Sequence, residues 1–306
     1  MKKMLVTGGA GFIGSHLVDR LVEEGYKVIV ADDLSRGRLE NVNAKADFKK
    51  TDITSKKFPE LIKKIRPDVI FHFAAQSSIT KSIKNPKEDI AINILATQDL
   101  LDGAKETKLG KVIFASSASV YAQSAKQPIE EEYPKGPLSL YGVSKLCSEY
   151  LLSNYRKIHG LSYASLRFAN VYGLRQDSSG EGGVVAIFID KILKSDKVTI
   201  FGNGTQTRDF IYVDDVVDAC LSAVNDDVIG EFNIGTESET SVLDLYSKLL
   251  KISGSRSDKI FRTAPNLEVK RSALSFQKYK KKTNWRPRIN LGYGLEKTFN
   301  HFKIFK

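Results

Sequence analysis

One short segment near the amino end constrains this chain more than any other. Met4-Leu5-Val6-Thr7 is an apolar run of the kind that forms a buried strand, and it passes directly into Gly8-Gly9-Ala10-Gly11-Phe12-Ile13-Gly14 and a helical pattern from Phe12 to Glu24. Glycines at 8, 11 and 14 leave no side chain where a turn tightens, where backbone N–H groups approach a ligand and where the helix packs on the strand. The first helical turn then presents unpaired N–H groups and a positive dipole end, which suits a diphosphate. A lone glycine triplet would carry little. One that follows a strand and opens a helix is a dinucleotide signature. Gly8, Gly11, Phe12, Ile13 and Gly14 are therefore expected to cradle a pyrophosphate.

The rest of the first half repeats the same rhythm. Apolar runs at 4–7, 27–31, 69–73, 111–115 and 162–168, with a short one near Phe48, alternate with helical patterns at 12–24, 58–64, 90–105 and 141–159. Continuous apolar strands between helices predict a parallel sheet covered on both faces. Right-handed crossovers then make it a doubly wound α/β fold of the Rossmann kind, with ligands at the carboxyl ends of the strands. After about Phe168 the pattern loosens into the Gly-rich stretch 173–183, a helical pattern at 184–193 and a turn at Gly202-Asn203-Gly204. We expect a dinucleotide domain over 1–167. Residues 168–306 are expected to form mainly a smaller α/β substrate lobe, with some segments returning to the first domain. A chain of 306 residues can bury a sizeable core without disulfide or metal.

Composition narrows the partners. Hydrophobic residues at 42% and charged residues at 27% place the chain outside the disordered regime. Lys plus Arg at 47 against Asp plus Glu at 36 leaves +11, which suits an anionic partner without choosing among phosphate compounds, nucleic acid and membrane. The densest basic run, Lys278 to Lys282 around Tyr279, reads as a solvated helix face. No zinc finger, zipper or RNA-binding aromatic motif occurs, so no nucleic-acid partner is expected. No apolar stretch is long enough to span a membrane, and the amino end is too short in apolar residues for a signal peptide. Cys147 and Cys220 are too few for a disulfide framework, and His16, His72, His159 and His301 lack zinc spacing. A reducing cytoplasmic setting, with no metal, is the expectation.

The second strand ends at Asp32-Asp33. A carboxylate there accepts the ribose 2′-OH and repels a 2′-phosphate, which favours NAD over NADP, although Arg36 and Arg38 close by weaken that preference. Asp52-Ile53 stands where it meets an adenine edge; a turn cap at Asp52 is an equally good reading. The strand 111–115 runs into Ser116-Ser117-Ala118-Ser119, and Tyr141 and Lys145 follow one helical turn apart on a shared face. Tyr293 and Lys297 have the same spacing, but only Tyr141 opens a long helix after a strand that ends in serines. A phenol with pKa about 10 is a poor base at neutral pH. A neighbouring ammonium and a cationic nicotinamide ring would bring it toward the working range. Ser117 would hold the reacting alcohol oxygen.

Further motifs make the pattern specific. They are Phe71-His72-Phe73-Ala74-Ala75-Gln76, Asn93, the Ser117, Tyr141, Lys145 set, Leu166-Arg167-Phe168-Ala169-Asn170-Val171-Tyr172-Gly173, and Thr207-Arg208-Asp209-Phe210-Ile211-Tyr212-Val213-Asp214-Asp215. With these the chain resembles the extended short-chain dehydrogenase/reductases of the NAD-dependent sugar epimerase/dehydratase family over essentially its whole length. The resemblance implies NAD as cofactor, with Phe73, Ala74 and Ala75 lining it and Asn93 near the nicotinamide. It implies a UDP-sugar substrate whose diphosphate is held by Asn170 and Arg208, and a homodimer through helices near 90–105 and 141–159. A guanidinium suits two phosphate oxygens at once; an ion pair of Arg208 with Asp209 or Asp214 is the alternative.

Relatives that dehydrate or decarboxylate the sugar carry acids just after the active-site hydroxyl, where this chain has Ala118 and Ser119. That points to oxidation and re-reduction at one carbon, hence C4 epimerisation of a UDP-hexose through a 4-keto intermediate. Other nucleotide-sugar chemistry, or a non-catalytic NAD-binding module, are the competing readings. Three departures stand out: Ala122 in place of a glycine, Leu140 in place of a proline, and Ala264-Pro265-Asn266-Leu267-Glu268 where relatives show Arg-Pro-Gly and an acid. With that arginine missing, the expectation is either that Arg262 or Arg271 compensates or that the diphosphate is held more loosely. Ser272, aligned through Glu268, would gate the space beside the sugar C2 and admit N-acetyl groups.

Overall fold

The computed structural model describes residues 1–124, 126–179, 183–264 and 269–305. Of the Ala264–Glu268 segment, residues 265–268 lie outside the described residues, as do 180–182 of the Gly-rich stretch.

Successive residues of the first strand point to opposite faces of the sheet. Met4 and Val6 pack with Leu17, Val18 and Leu21 of the helix Phe12–Glu23 and with Val216 and Cys220 of the helix Val213–Ser222. Leu5 packs on the other face with Phe58, Ile62, Leu100 and Leu152. All three strand residues are fully buried. Each such side chain contributes roughly 1.5–3 kcal/mol by leaving water.

Both faces are therefore covered, as a parallel sheet requires. Seven described strands form it, in the spatial order Gly230–Ile234, Tyr163–Phe168, Lys111–Ser117, Val69–His72, Lys3–Thr7, Lys27–Asp32, Asp47–Lys50. Every neighbouring pair is parallel. The chain moves outward from Lys3–Thr7 to Asp47–Lys50, then returns to the opposite side at Val69–His72. The order reverses between Lys3–Thr7 and Val69–His72, and ligands of such sheets sit at that reversal, beyond the carboxyl ends. The glycine turn leaves from this point.

A second core lies in the carboxyl half. Helices Val184–Leu193, Val242–Ser253 and Leu291–Phe305 enclose Val198, Ile200, Phe210 and Tyr212. Two short parallel pairs, Asn170–Tyr172 with Phe210–Tyr212 and Lys259–Arg262 with Val198–Phe201, complete it.

The observed elements differ from the expected ones in two respects. The seventh sheet strand, Gly230–Ile234, comes from the carboxyl half, where no strand was read. The helix expected over 90–105 is three pieces: Pro86–Ile90, a π-helical turn at Ala91–Leu95 and Ala96–Lys105. Within the wide turn the Asn93 carbonyl accepts the hydroxyls of Thr97 at 2.7 Å and Ser148 at 2.8 Å. Such tertiary bonds leave no periodicity in the sequence. The basic run lies on Gln277–Thr283, whose lysines are exposed while Tyr279 is fully buried and donates to the Ala219 carbonyl at 2.6 Å. Tyr293 is exposed, and Lys297 pairs with Asp214 at 3.0 Å.

Candidate active site

The glycine turn is closed at backbone distance. Gly8 adopts φ +71°, and a Cβ there would lie 2.6 Å from the Ala74 nitrogen; one at Gly14 would lie 2.2 Å from the Gly8 carbonyl oxygen. Gly11 is looser, with its nearest neighbour, the Gly8 oxygen, at 3.2 Å. The helix Phe12–Glu23 has no side-chain cap at Gly11 and no acidic residue in its first turn. The helices after Ser78, Asn85, Ser139 and Ser241 are capped by those side chains, whereas Val184–Leu193 is uncapped like this one. The uncapped N–H groups fit an anionic ligand rather than a side chain.

Asp32 is buried, and its carboxylate accepts the N–H groups of Ala10 at 3.0 Å and Leu34 at 2.9 Å. Burial raises its pKa against these two bonds. The acid is thus tied to the turn, and each oxygen keeps a lone pair for a hydroxyl. Gly37 was not singled out in the sequence; a Cβ there would meet Asp32 Oδ1 at 2.8 Å. Arg36 and Arg38 are held in exposed pairs, with Asp177 and Glu40, each at 3.3 Å. Asp33 accepts the Ser35 N–H and hydroxyl, and Asp52 accepts those of Thr54 at 2.8 and 2.7 Å. Both side chains therefore make turn caps, and Ile53 beside Asp52 is buried in the sheet core.

Behind the turn a directed hydrogen-bond chain fixes the 73–76 segment. Ala74 N–H donates to Thr7 Oγ1 (3.2 Å), Thr7 to His72 Nδ1 (2.8 Å), His72 Nε2–H to Thr97 Oγ1 (3.1 Å), and Thr97 to the Asn93 carbonyl. Each group then donates once to the next. Burial, with Lys145 adding to it, pushes the His72 pKa down to about 3, so the ring is neutral. Phe73 and Ala75 lie half-buried on the same segment. Asn93 is 3% exposed and clamps the Gln76 backbone from both sides, at 2.9 Å each. It also donates to Asp89 and Ser144.

Tyr141 and Lys145 stand on the helix Leu140–His159, whose amino end is capped by Ser139. Ser117 ends the strand Lys111–Ser117; its hydroxyl donates to that of Ser119 at 3.2 Å and accepts the Ser119 N–H at 3.1 Å, and it stands near enough to Tyr141 to favour the phenolate. Lys145 Nζ lies 4.7 Å from the centre of the Phe114 ring and 5.9 Å from that of Tyr141. The structure thus brings the three expected residues together.

Burial dominates their electrostatics. Burial pushes Tyr141 up to about 12, opposed by the nearby Ser117 hydroxyl and reinforced by Asp89. Burial pushes Lys145 down to about 8, against the charges of Asp89 and Glu149. Desolvation disfavours the charged form of each. In the protein alone, burial outweighs what its own groups do to lower the phenol.

Two departures find their reason here. Ala122 is accommodated because Gly136 faces it; a Cβ on Gly136 would fall 2.8 Å from that of Ala122. Leu140 is exposed at the first position of the helix, where a proline would fit and is not needed.

On the substrate side, Asn170 is exposed and its N–H donates to the Asp209 carbonyl at 2.8 Å. Arg208 Nη1 donates to the carbonyls of Thr207 and Val269, both at 2.8 Å. The buried Asp209 carboxylate accepts from Thr236 and from Leu274 N–H at 3.1 Å, while Asp214 pairs with Lys297. Asp209 thereby joins the Arg208 strand to the segment of Arg271 and Ser272. Arg271 forks onto Glu239 at 3.0 and 2.5 Å, and Ser272 is half-buried. Among the described residues no group of three or more His, Cys, Asp or Glu could hold a metal ion.

Three residues that the sequence reading missed tie this site together: Ser116, Glu149 and Asp89. Glu149 was legible in principle, since it follows Tyr141 and Lys145 by further four-residue steps. Its partners, Ser116 and Arg167, were not.

Residues 4–235 match the family described as the NAD dependent epimerase/dehydratase family. A protein of Methanocaldococcus jannaschii described as a putative UDP-glucose 4-epimerase is 43% identical, with 98% of each chain covered. The crystal structure of a UDP-glucose 4-epimerase of Thermotoga maritima with UDP-glucose superposes with a TM-score of 0.96 at 40% identity, covering 99% of both chains. That of a Thermus thermophilus UDP-glucose 4-epimerase in complex with NAD gives 0.94 at 35%, covering 98% of both. A UDP-glucuronic acid decarboxylase of Xenopus tropicalis is 31% identical over 99% of this chain and 72% of its own.

Proposed function

The chain belongs to the NAD dependent epimerase/dehydratase family, and from that premise we propose that it interconverts the C4 epimers of a UDP-hexose, UDP-glucose and UDP-galactose, through a 4-keto sugar. The protein is a nucleotide-sugar epimerase of the extended short-chain dehydrogenase/reductase type with NAD as cofactor. The observation that carries the reading is the gathering of Ser117, Tyr141 and Lys145 at the carboxyl end of the strand Lys111–Ser117, one strand beyond the topological reversal.

The glycine turn and the first turn of its helix would hold the pyrophosphate of NAD, with Asp32 on the adenosine ribose and Asp33, Asp52 and Ile53 toward the adenine. Phe73 to Ala75 and Asn93 would border the nicotinamide half. Bound NAD supplies the hydride acceptor and a positive ring. Tyr141 Oη takes the proton from the sugar 4-OH, and Ser117 Oγ holds that oxygen. Lys145 stabilises the phenolate and binds the nicotinamide ribose. Re-reduction from the opposite sugar face returns the proton from Tyr141, so no net oxidant is consumed. Asn170 and Arg208 would hold the diphosphate, with Arg271 as the second guanidinium, and the small Ser272 would leave room for an N-acetyl group.

Decarboxylase relatives favour a second reading, removal of a sugar carboxyl. Ala118 and Ser119 speak against it, because neither carries an acid where that chemistry needs one. The exposed apolar side chains Leu140, Val143 and Tyr150 on one helix, with Ile83, Ile90 and Leu95 beside it, support a homodimer. Both cysteines are unpaired, which fits a reducing compartment. No helix among the described residues is long and apolar enough to cross a membrane.

Incubation with UDP-galactose, UDP-N-acetylglucosamine and UDP-glucuronic acid, followed by NMR of the sugar H4 coupling, tests the proposal. Interconversion of a UDP-hexose is expected. A UDP-pentose from UDP-glucuronic acid with no interconversion of any UDP-hexose would replace it with the second reading.

A further inference from the structure

We propose that Glu149 is a positioning residue for this reaction: it locks the strand that ends in Ser117 to the helix that carries Tyr141 and Lys145, and so sets the approach of the two hydroxyls. The inference rests on Ser117, Tyr141 and Lys145 being the reacting set.

Tyr141, Lys145 and Glu149 follow at four-residue steps and share one helix face. The Glu149 side chain is 2% exposed and accepts three bonds. Ser116 Oγ donates to Oε1 at 2.6 Å, Arg167 Nε to the same oxygen at 2.8 Å, and Arg167 Nη2 to Oε2 at 2.7 Å. Ser116 precedes Ser117, and Arg167 stands opposite Ser116 in the neighbouring parallel strand. One carboxylate thus crosses from the helix to two strands, at the end where Ser117 emerges. The fork fixes orientation as well as distance.

The anchor continues past Arg167. Its Nη1 donates to Tyr121 Oη at 2.8 Å, Tyr121 donates to Asn233 Oδ1 at 2.6 Å, and Asn233 Nδ2 donates to the Ile129 carbonyl at 2.9 Å. Ile129 N–H in turn donates to the Ala273 carbonyl at 2.8 Å, one residue beyond Ser272. The reacting set and the substrate-side segment are therefore referenced to the same carboxylate. Glu149 and Arg167 also border a cleft of about 300 Å³ with Leu146, Tyr150 and Ser153, none of which belongs to the proposed reacting set or dinucleotide turn. Glu149 accordingly acts through its neighbours and not on substrate.

Its charge matters as well. Lys145 is faced by Asp89 from the helix Pro86–Ile90, by the neutral His72 from its strand, and by Tyr141 and Glu149 from its own helix. Losing Glu149 removes one of the two carboxylates that support the ammonium and leaves Arg167 uncompensated.

The test compares Glu149→Gln and Ser116→Ala in the full-length, NAD-loaded enzyme. Both should lose kcat by about tenfold to a hundredfold with KM for the UDP-sugar nearly unchanged, since a small misplacement of reacting groups costs rate rather than binding. In Glu149→Gln the alkaline limb of kcat should also move to lower pH, and in Ser116→Ala it should stay. Wild-type kcat and pH profile in folded, NAD-loaded variants would overturn the inference, as would parallel loss of kcat, KM and bound NAD. If Glu149→Gln does not fold, the kcat-against-KM split in Ser116→Ala decides. Tyr141→Phe serves as control: if it keeps full turnover, the assignment of the reacting set fails and not the role of Glu149.

Discussion

An alanine Cβ at Gly142 would fall 2.3 Å from the Ser119 carbonyl oxygen, so the helix that presents Tyr141 begins in backbone contact with the turn that follows Ser117. No side chain fits between the two elements, and the distance between the reacting hydroxyls is set by this contact on one side and by Glu149 on the other. Gly142→Ala must push the helix start away from that turn. We expect kcat to fall about a hundredfold with NAD still bound, because the glycine turn lies elsewhere. Steady-state kinetics together with the absorbance of the released cofactor check this.

The pH dependence follows from Lys145. Burial favours its neutral form, so the amine keeps its proton below about 8 and loses it above, well before a free lysine would. Activity that needs the ammonium is complete at neutral pH and falls as pH rises through about 8. Lys145→Arg holds its charge throughout, so whatever activity it retains should show no such limb. A kcat profile carried into the alkaline range measures both.

Asp32 should decide between cofactors. Asp32→Asn keeps the size but removes the charge that repels a 2′-phosphate and weakens the acceptor for the ribose hydroxyl. We expect NAD affinity to drop about tenfold or more and the preference for NAD over NADP to shrink. Titrating each cofactor against the apoprotein reads the ratio directly.

Arg271 is engaged by Glu239, which also accepts the Thr207 hydroxyl, and the pair is largely at the surface. An exposed pair of this kind is worth little and yields readily to a diphosphate. Glu239→Gln should lower KM for the UDP-sugar, and Arg271→Ala should raise it by about tenfold with kcat held. Equal KM values in both variants would show that the second guanidinium of the site is another residue.

Local spacing was enough for much of this protein. A strand, a glycine turn and a helix start are contiguous, and Tyr141 and Lys145 lie one turn apart, so the doubly wound fold, the dinucleotide turn and the tyrosine–lysine pair were legible from Met4 to Lys145. The strand Gly230–Ile234 was not, because its partner Tyr163–Phe168 lies far away in the chain and its apolar run is short. The break in the helix after Ile90 escaped for a related reason: the Ser148 hydroxyl that meets the Asn93 carbonyl there lies 55 residues away.

The field at the reacting groups belonged to the tertiary structure alone. The sequence places an amine four residues from a phenol and suggests that the amine acidifies it, yet burial dominates both groups and drives them the other way. Burial is a property of everything packed around a side chain. Glu149 meets Arg167 across 18 residues and Ser116 across 33, and only the folding of two strands and a helix onto one carboxylate makes those three a unit. Chain order determined which groups are present and which face of a helix they share; packing decided their charges and the distance at which they meet.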